Sequence, residues 1–289
     1  MNERLPEYAF VRRAVSRFMP GEEAASALDE SVRLNDKRIF TVLTLLGENV
    51  TAREEAAEVC AHYHSVLGQV EEQDLNSEVS VKLTQLGLDL DPQIAREALS
   101  SLVSRAAELG KFVWVDMEGS GYVDTTLQMF EHVRRAHTNV GVCLQAYLYR
   151  TREDLARLLP LSPAIRLVKG AYAEPADRAY PKKKDVDENY MELAVVLLEA
   201  SVPRAAFATH DAEIIRSVQA AAAERRIESS ALEFQMLYGI ARAKQEELAH
   251  QGHRMGVLIS YGSAWFAWYM RRLAERPANL GFLMRSMFR

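Results

Sequence analysis

Cysteine is scarce in this 289-residue chain: its two cysteines, Cys60 and Cys143, lie far apart, which excludes a disulfide framework and a clustered-thiolate metal site. Long apolar runs are missing too. Stretches such as Phe40 to Leu46 and Leu193 to Leu198 fall well short of the roughly 20 residues that cross a bilayer. Basic residues do not predominate: 35 Lys and Arg against 40 Asp and Glu give a formal charge of -5, so a general nucleic-acid binder is not expected. No Gly/Ser linker, low-complexity tract or fixed-period repeat divides the chain, which favours one domain. His62 and His64 stand two apart and would face away from one another on a helix, and no H-x-x-x-H pattern occurs, so no metal site is expected. Arg4, Arg12, Arg13 and Arg17 hint at a transit peptide, but Glu3, Glu7, Glu22 and Glu23 among them speak against it. A cytoplasmic location is expected, with peripheral contact at the inner membrane as the alternative.

What is present is a core-forming composition, 48% hydrophobic and 26% charged, enough to bury a large interior under a solvated surface. Eight short β-type runs recur: Phe40 to Leu46, Val79 to Leu83, Phe112 to Met117, Val140 to Ala146, Ile165 to Lys169, Ala205 to Thr209, Leu232 to Met236 and Met255 to Ile259. Between them apolar residues fall at helical spacing, as in Arg53 to Leu67, Ile94 to Leu109, Glu188 to Ala200 and Ala212 to Glu224. This alternation predicts an α/β fold of parallel strands with helical crossovers, closed as a (β/α)8 TIM barrel or opened as a doubly wound sheet. An open dinucleotide-binding sheet calls for G-x-G-x-x-G after its first strand. Here that strand runs into Leu46-Gly47-Glu48-Asn49, and Gly119-Ser120-Gly121 lacks the third glycine, so the barrel is preferred. Residues 1–36 read as short flanking helices and 37–289 as the barrel.

Barrel chemistry sits at the C-terminal strand ends, so polar residues closing each run are the candidates. They are Lys82, Asp116 and Glu118, Gln145, Arg166 and Lys169, Thr209-His210-Asp211, and Glu233 with Gln235. Alternation puts Arg166 and Val168 on one face and Leu167 and Lys169 on the other. Lys82 and Asp116, on neighbouring strands, are expected to neutralise each other. Near the C-terminus, Ala264, Trp268, Arg271 and Glu275 share a helix face, with Arg272 beside it. Two guanidinium groups there would grip a carboxylate while aromatic surface encloses an apolar ring. An aromatic core face with a basic last turn would read the same way.

From about Asn35 onward these residues resemble the proline dehydrogenase family, including the dehydrogenase domain of proline-utilisation proteins. The carriers are Leu45-Leu46-Gly47-Glu48, Ser80-Val81-Lys82-Leu83-Thr84-Gln85, Asp116-Met117-Glu118, Leu144-Gln145-Ala146-Tyr147, Arg166-Leu167-Val168-Lys169-Gly170-Ala171-Tyr172, Phe207-Ala208-Thr209-His210-Asp211, Glu233-Phe234-Gln235-Met236-Leu237 and Arg271-Arg272-Leu273-Ala274-Glu275. The resemblance implies a distorted barrel with its final helix over the mouth, noncovalent FAD, and oxidation of L-proline to 1-pyrroline-5-carboxylate by hydride transfer to flavin N5. It also implies a membrane quinone as acceptor and a pyrroline-carboxylate dehydrogenase downstream.

By the same resemblance, Arg271 and Arg272 bind the substrate carboxylate and Glu48 gates the site with Arg271. Lys82, Tyr172, Leu237, Leu258 and Trp268 line the substrate, with Lys82, Asp116 and Arg166 catalytic. Gln145, Arg166, Val168, Lys169, Gly170, Ala171, Tyr172, Thr209, His210, Gln235, Arg272 and Glu275 contact the cofactor. Leu258 and Trp268 stand where the family commonly has tyrosines. Either the two changes compensate and proline stays the substrate, or the pocket takes 4-hydroxyproline or another substituted proline. A Schiff-base aldolase using Lys82 or Lys169, a hydrolase metal site built from His210, Asp116 and Glu118, and a catalytically silent binding protein retaining the arginine pair are the remaining readings.

Overall fold

The computed structural model describes residues 17–200 and 202–265. Along them run α1 (Ala24–Asn35), β1 (Ile39–Leu45), α2 (Arg53–Glu72), β2 (Ser77–Val81), α3 (Pro92–Glu108), β3 (Val113–Val115), α4 (Val123–Ala136) and β4 (Val140–Gln145). They continue with α5 (Thr151–Leu158), β5 (Ala164–Val168), α6 (Lys183–Glu199), β6 (Arg204–Ala208), α7 (Ala212–Glu224), β7 (Glu233–Leu237), α8 (Arg242–His250) and β8 (Arg254–Tyr261). Every strand pairs in parallel with its sequence neighbours. Strand β1 pairs with β8 from Ile39 opposite Met255 to Leu45 opposite Tyr261, closing the barrel. Each expected strand is present, displaced by no more than a few residues at its ends.

Local chemistry explains the elements. The strands are rich in β-branched residues and buried on both faces, so they read as near-continuous apolar runs. The N-terminus of α3 is capped by Asp91, whose side chain accepts from Gln93 N at 2.9 Å, with Pro92 at the first helical position. Asp211 caps α7 likewise, accepting from Glu213 N at 3.1 Å. In α2 the buried positions Ala56, Tyr63, Val66, Leu67 and Val70 form the stripe that faces the sheet.

Helix α1 packs on β1 and β8, the seam a crossover after the eighth strand ordinarily covers. It is pinned there by Thr41 of β1, which donates to Ser31 Oγ at 2.8 Å, while Ser31 donates to Ala27 O at 2.8 Å. The helix expected over the mouth, with Trp268, Arg271, Arg272 and Glu275, lies outside the described residues.

Inside the barrel the alternation of each strand stacks side chains in layers. The floor layer is ionic. Arg204 donates to Glu78 at 2.9 Å and to Glu233 at 2.7 and 2.8 Å, and Arg254 reaches Glu78 at 2.9 Å and Glu233 at 3.0 Å. Two carboxylates and two guanidinium groups thereby neutralise each other. Glu233 therefore belongs to the floor, not to the mouth with which its strand position grouped it, because β7 begins at that residue. Above the floor lies a small apolar layer of Phe40, Val42, Trp114, Ala164 and Ala206. Its large members fit because their neighbours are small: a Cβ added at Gly141 would stand 2.5 Å from Trp114 Cζ3.

Candidate active site

Above that layer, at the C-terminal ends of the strands, opens a cavity of about 560 Å³. Of the described candidates, Glu48, Lys82, Asp116, Gln145, Arg166, Val168, Lys169, Gly170, Ala171, Tyr172, Thr209, His210, Asp211, Gln235, Leu237 and Leu258 line it, whereas Glu118 and Glu233 do not. The lining residues converge because each sits on an inward position of its strand or in the loop that follows it. Strict alternation would group Lys169 with Leu167, on the face opposite Arg166. The lysine turns inward because β5 ends at Val168, where alternation stops.

Arg166 is the central cation, with its side chain only 3% exposed. Its Nη1 donates to Asp116 Oδ1 at 2.7 Å and to Ser80 Oγ at 3.0 Å, and Ser80 Oγ donates to the same Asp116 oxygen at 2.7 Å. The expected pairing of Asp116 with Lys82 is thus replaced by pairing with Arg166. Lys82 lies just past the end of β2 and makes no ion pair with Asp116, its charge instead favouring ionisation of Glu118. Glu118 does not line the cavity. It accepts from Thr84 N at 3.2 Å and Thr84 Oγ1 at 2.5 Å, and burial raises its carboxyl against those hydrogen bonds.

Five buried polar atoms of its lining residues have no partner among the described residues: Thr44 Oγ1, Arg166 Nε and Nη2, Gln145 Oε1 and Gln235 Oε1. The amide groups of both glutamines are tied down, Gln145 Nε2 to Met117 O at 3.3 Å and Gln235 Nε2 to Glu233 Oε1 at 2.7 Å. Donors and acceptors are therefore held ready around one space. Buried groups left in this state normally await a ligand or water.

The loop after β5 forms one side of the mouth. Gly170 has φ +118°, and a Cβ there would stand 2.2 Å from the Tyr147 ring, so only glycine lets the chain turn this closely. Lys169 Nζ bonds Asp211 Oδ2 at 2.9 Å and also pairs with Asp187, while Lys183 reaches Asp211 at 3.2 Å. Burial opposes ionisation of Asp211, but the bonds from Lys169 and Lys183 prevail and hold its carboxyl below the usual range. His210 Nε2 accepts from Leu237 N at 2.9 Å, so a backbone proton occupies that nitrogen's lone pair. Tyr172 donates to Glu48 Oε1 at 3.4 Å, joining the β5 loop to the β1 loop.

The sequence reading missed Thr44, Cys143 and Ser260 as cavity walls, although each lies at an inward position that strand alternation could have marked. Burial pushes the Cys143 thiol up to about 12, with the Arg166 charge opposing, so this sulfur stays protonated.

Comparison with known proteins gives this geometry a family. A model of the proline dehydrogenase family matches residues 27–285. The chain belongs to the proline dehydrogenase family. It is 38% identical to Proline dehydrogenase 1 of Bacillus subtilis subsp. natto, over 96% of this chain and 92% of that one. It is 37% identical to the Deinococcus radiodurans proline dehydrogenase, over 94% of this chain and 89% of that one. Among solved structures, proline utilization A from Bdellovibrio bacteriovorus inactivated by N-propargylglycine superposes with a TM-score of 0.85 at 26% identity. The match covers 91% of this chain and 32% of that longer protein. Family membership makes the chain a proline dehydrogenase enzyme.

Proposed function

We propose that the chain binds FAD in this cavity and oxidises L-proline to 1-pyrroline-5-carboxylate. The observation that carries the reading is the set of four orphaned atoms on Arg166, Gln145 and Gln235. An isoalloxazine edge offers both acceptors and an N–H donor, so it matches a wall that presents guanidinium donors and amide acceptors together. The tight turn at Gly170, where backbone can approach a ligand closely, fits a cofactor cradle running from Lys169 to Tyr172, with Thr209 and His210 opposite.

Bound FAD would supply the two-electron acceptor for the C–H bond next to the ring nitrogen. The remaining work belongs to side chains. Arg166, buried and held by Asp116, presents fixed positive charge where negative charge gathers during the reaction. Preorganised charge of this kind acts strongly in a site sheltered from water. Arg271 and Arg272 grip the carboxylate, and Lys82 and Leu258 border the ring. Glu48, already touching Tyr172, closes the mouth with Arg271. Lys169, paired with Asp187 and Asp211, is committed as a charged strut, which disfavours a Schiff-base role.

Electrons then leave to a quinone, and a pyrroline-carboxylate dehydrogenase takes the product; family resemblance alone supports these two partners. No helix among the described residues is long and apolar enough to cross a membrane. Anaerobic addition of proline to the yellow holoenzyme tests the reading. Bleaching of the flavin bands is expected, and a colourless protein, or bands unmoved by any imino acid, refutes it.

One observation favours a substituted substrate. Leu258 lines the cavity beside the register pair Thr44 and Ser260, which places two hydroxyls next to the shortened side chain. A strong preference for trans-4-hydroxyproline in side-by-side turnover would select that reading over proline.

A further inference from the structure

We propose that Trp114 is a positioning residue: its indole, anchored by Glu78 and packed against the guanidinium groups of both Arg204 and Arg166, fixes the orientation of Arg166 beside the bound flavin. This rests on the flavin reading given above and adds a residue beneath the cavity, outside its lining.

Three observations meet at the ring. The guanidinium carbon of Arg166 lies 4.6 Å from the Trp114 ring centroid and that of Arg204 lies 4.7 Å from it. Trp114 Nε1 donates to Glu78 Oε2 at 2.8 Å, inside the ionic floor that also holds Arg204. The ring itself is wholly buried, with Gly141 leaving the slot it occupies and Ala164 and Ala206 alongside. A cation over an indole face is attracted by the ring's negative quadrupole, most strongly where water is excluded. A carboxylate accepting from the indole N–H adds electron density to that ring and so strengthens its hold.

The consequence for Arg166 is geometric. Asp116 and Ser80 take Nη1, and the indole lies against the guanidinium carbon at 4.6 Å. A guanidinium held on an edge and a face is restrained from rotating, and its Nε and Nη2 remain without a partner among the described residues. A tryptophan filling the same volume with no interest in charge would pack as well but would leave that plane free to tilt. The floor network, remote from the mouth, is thereby coupled through one ring to the cation beside the reaction.

The test replaces Trp114 site-specifically with mono-, di- and trifluorotryptophan, which keep the ring's shape and N–H while draining its face of negative charge. Expected is a stepwise fall in the rate of anaerobic flavin reduction by proline, reaching roughly tenfold for the trifluoro ring. The midpoint potential of the bound flavin should become more negative in step, while FAD affinity and the KM for proline stay as in the parent. Trp114→Phe, which keeps a face but loses the N–H, should fall between parent and trifluoro forms. Rate and potential that stay flat across the fluorinated series overturn the proposal, and a lowered melting temperature alone would assign the ring to packing. If the parent protein neither holds flavin nor is bleached by an imino acid, the functional reading fails first and this inference falls with it. A flat series in a parent that does bleach refutes only the role of Trp114.

Discussion

Asp116→Ala is the substitution whose outcome the structure fixes most closely. It removes the acceptor that Arg166 Nη1 and Ser80 Oγ share at 2.7 Å each, and leaves a guanidinium whose side chain is 3% exposed without its counter-ion. Breaking a buried pair by deleting one partner destabilises by about 3–5 kcal/mol. Asp116 itself is 20% exposed, so water can enter the space it leaves, and the lower end, about 3 kcal/mol, applies. For a chain of this size that corresponds to a fall in melting temperature of roughly 6 °C. Asp116→Asn keeps an acceptor oxygen and should lose only about 1 kcal/mol. The decisive variant is Asp116→Ala combined with Arg166→Met, which removes the stranded charge and should recover about 2 kcal/mol of the single-mutant loss, since an apolar replacement of a whole ion pair is often neutral. Calorimetry on the flavin-free protein measures this without the stabilisation that ligand binding adds. A double mutant as destabilised as the sum of its singles, or Asp116→Ala within 1 kcal/mol of the parent, refutes the pairing of Asp116 with Arg166.

Gly170→Ala forces a side chain into φ +118° and into the Tyr147 ring; FAD titration of the apoprotein should show at least tenfold weaker binding with the barrel intact by circular dichroism. Asp211→Asn keeps the α7 cap but removes the carboxylate held by Lys169 and Lys183. Because folding lowers the pKa of Asp211, its stabilisation is present above the unfolded value, about 3.9, and is lost as pH falls toward the folded one. The variant should therefore be less stable than the parent at neutral pH in urea titrations, with the gap closing as pH drops below about 4. Arg271→Ala and Arg272→Ala should each lower kcat/KM for proline by about 10–100-fold, the scale of one hydrogen bond to a charged group, and a variant pair with parental efficiency would remove the carboxylate clamp.

The barrel and the lining of its cavity were legible in sequence because both follow from local periodicity. Strands buried on both faces announce themselves as apolar runs, and the polar residues that interrupt their upper ends have nowhere to go but the mouth. Lys82, Gln145, Thr209 and Gln235, marked on that basis, line the cavity. Alternation also carried Arg166 inward.

What periodicity cannot encode is which strand lies opposite which across the interior. Asp116 chooses Arg166, two strands away, over Lys82 on the adjacent one because Arg166 reaches across the barrel at the same layer while Lys82 has already left its strand. Glu233 joins Glu78, Arg204 and Arg254 in the floor because four strands begin at comparable height, a fact set by barrel stagger. Helix α1 takes the seam between β8 and β1 only because closure creates that seam. Trp114 meets two cations for the same reason: its own strand supplies the ring, but Arg166 and Arg204 arrive from β5 and β6, brought to the ring by the curvature of the sheet. Sequence determined the elements and the kinds of chemistry they carry, because spacing along a strand or helix is a property of the chain; partners across the barrel were decided by the closed sheet, because only closure sets distances between strands that do not touch.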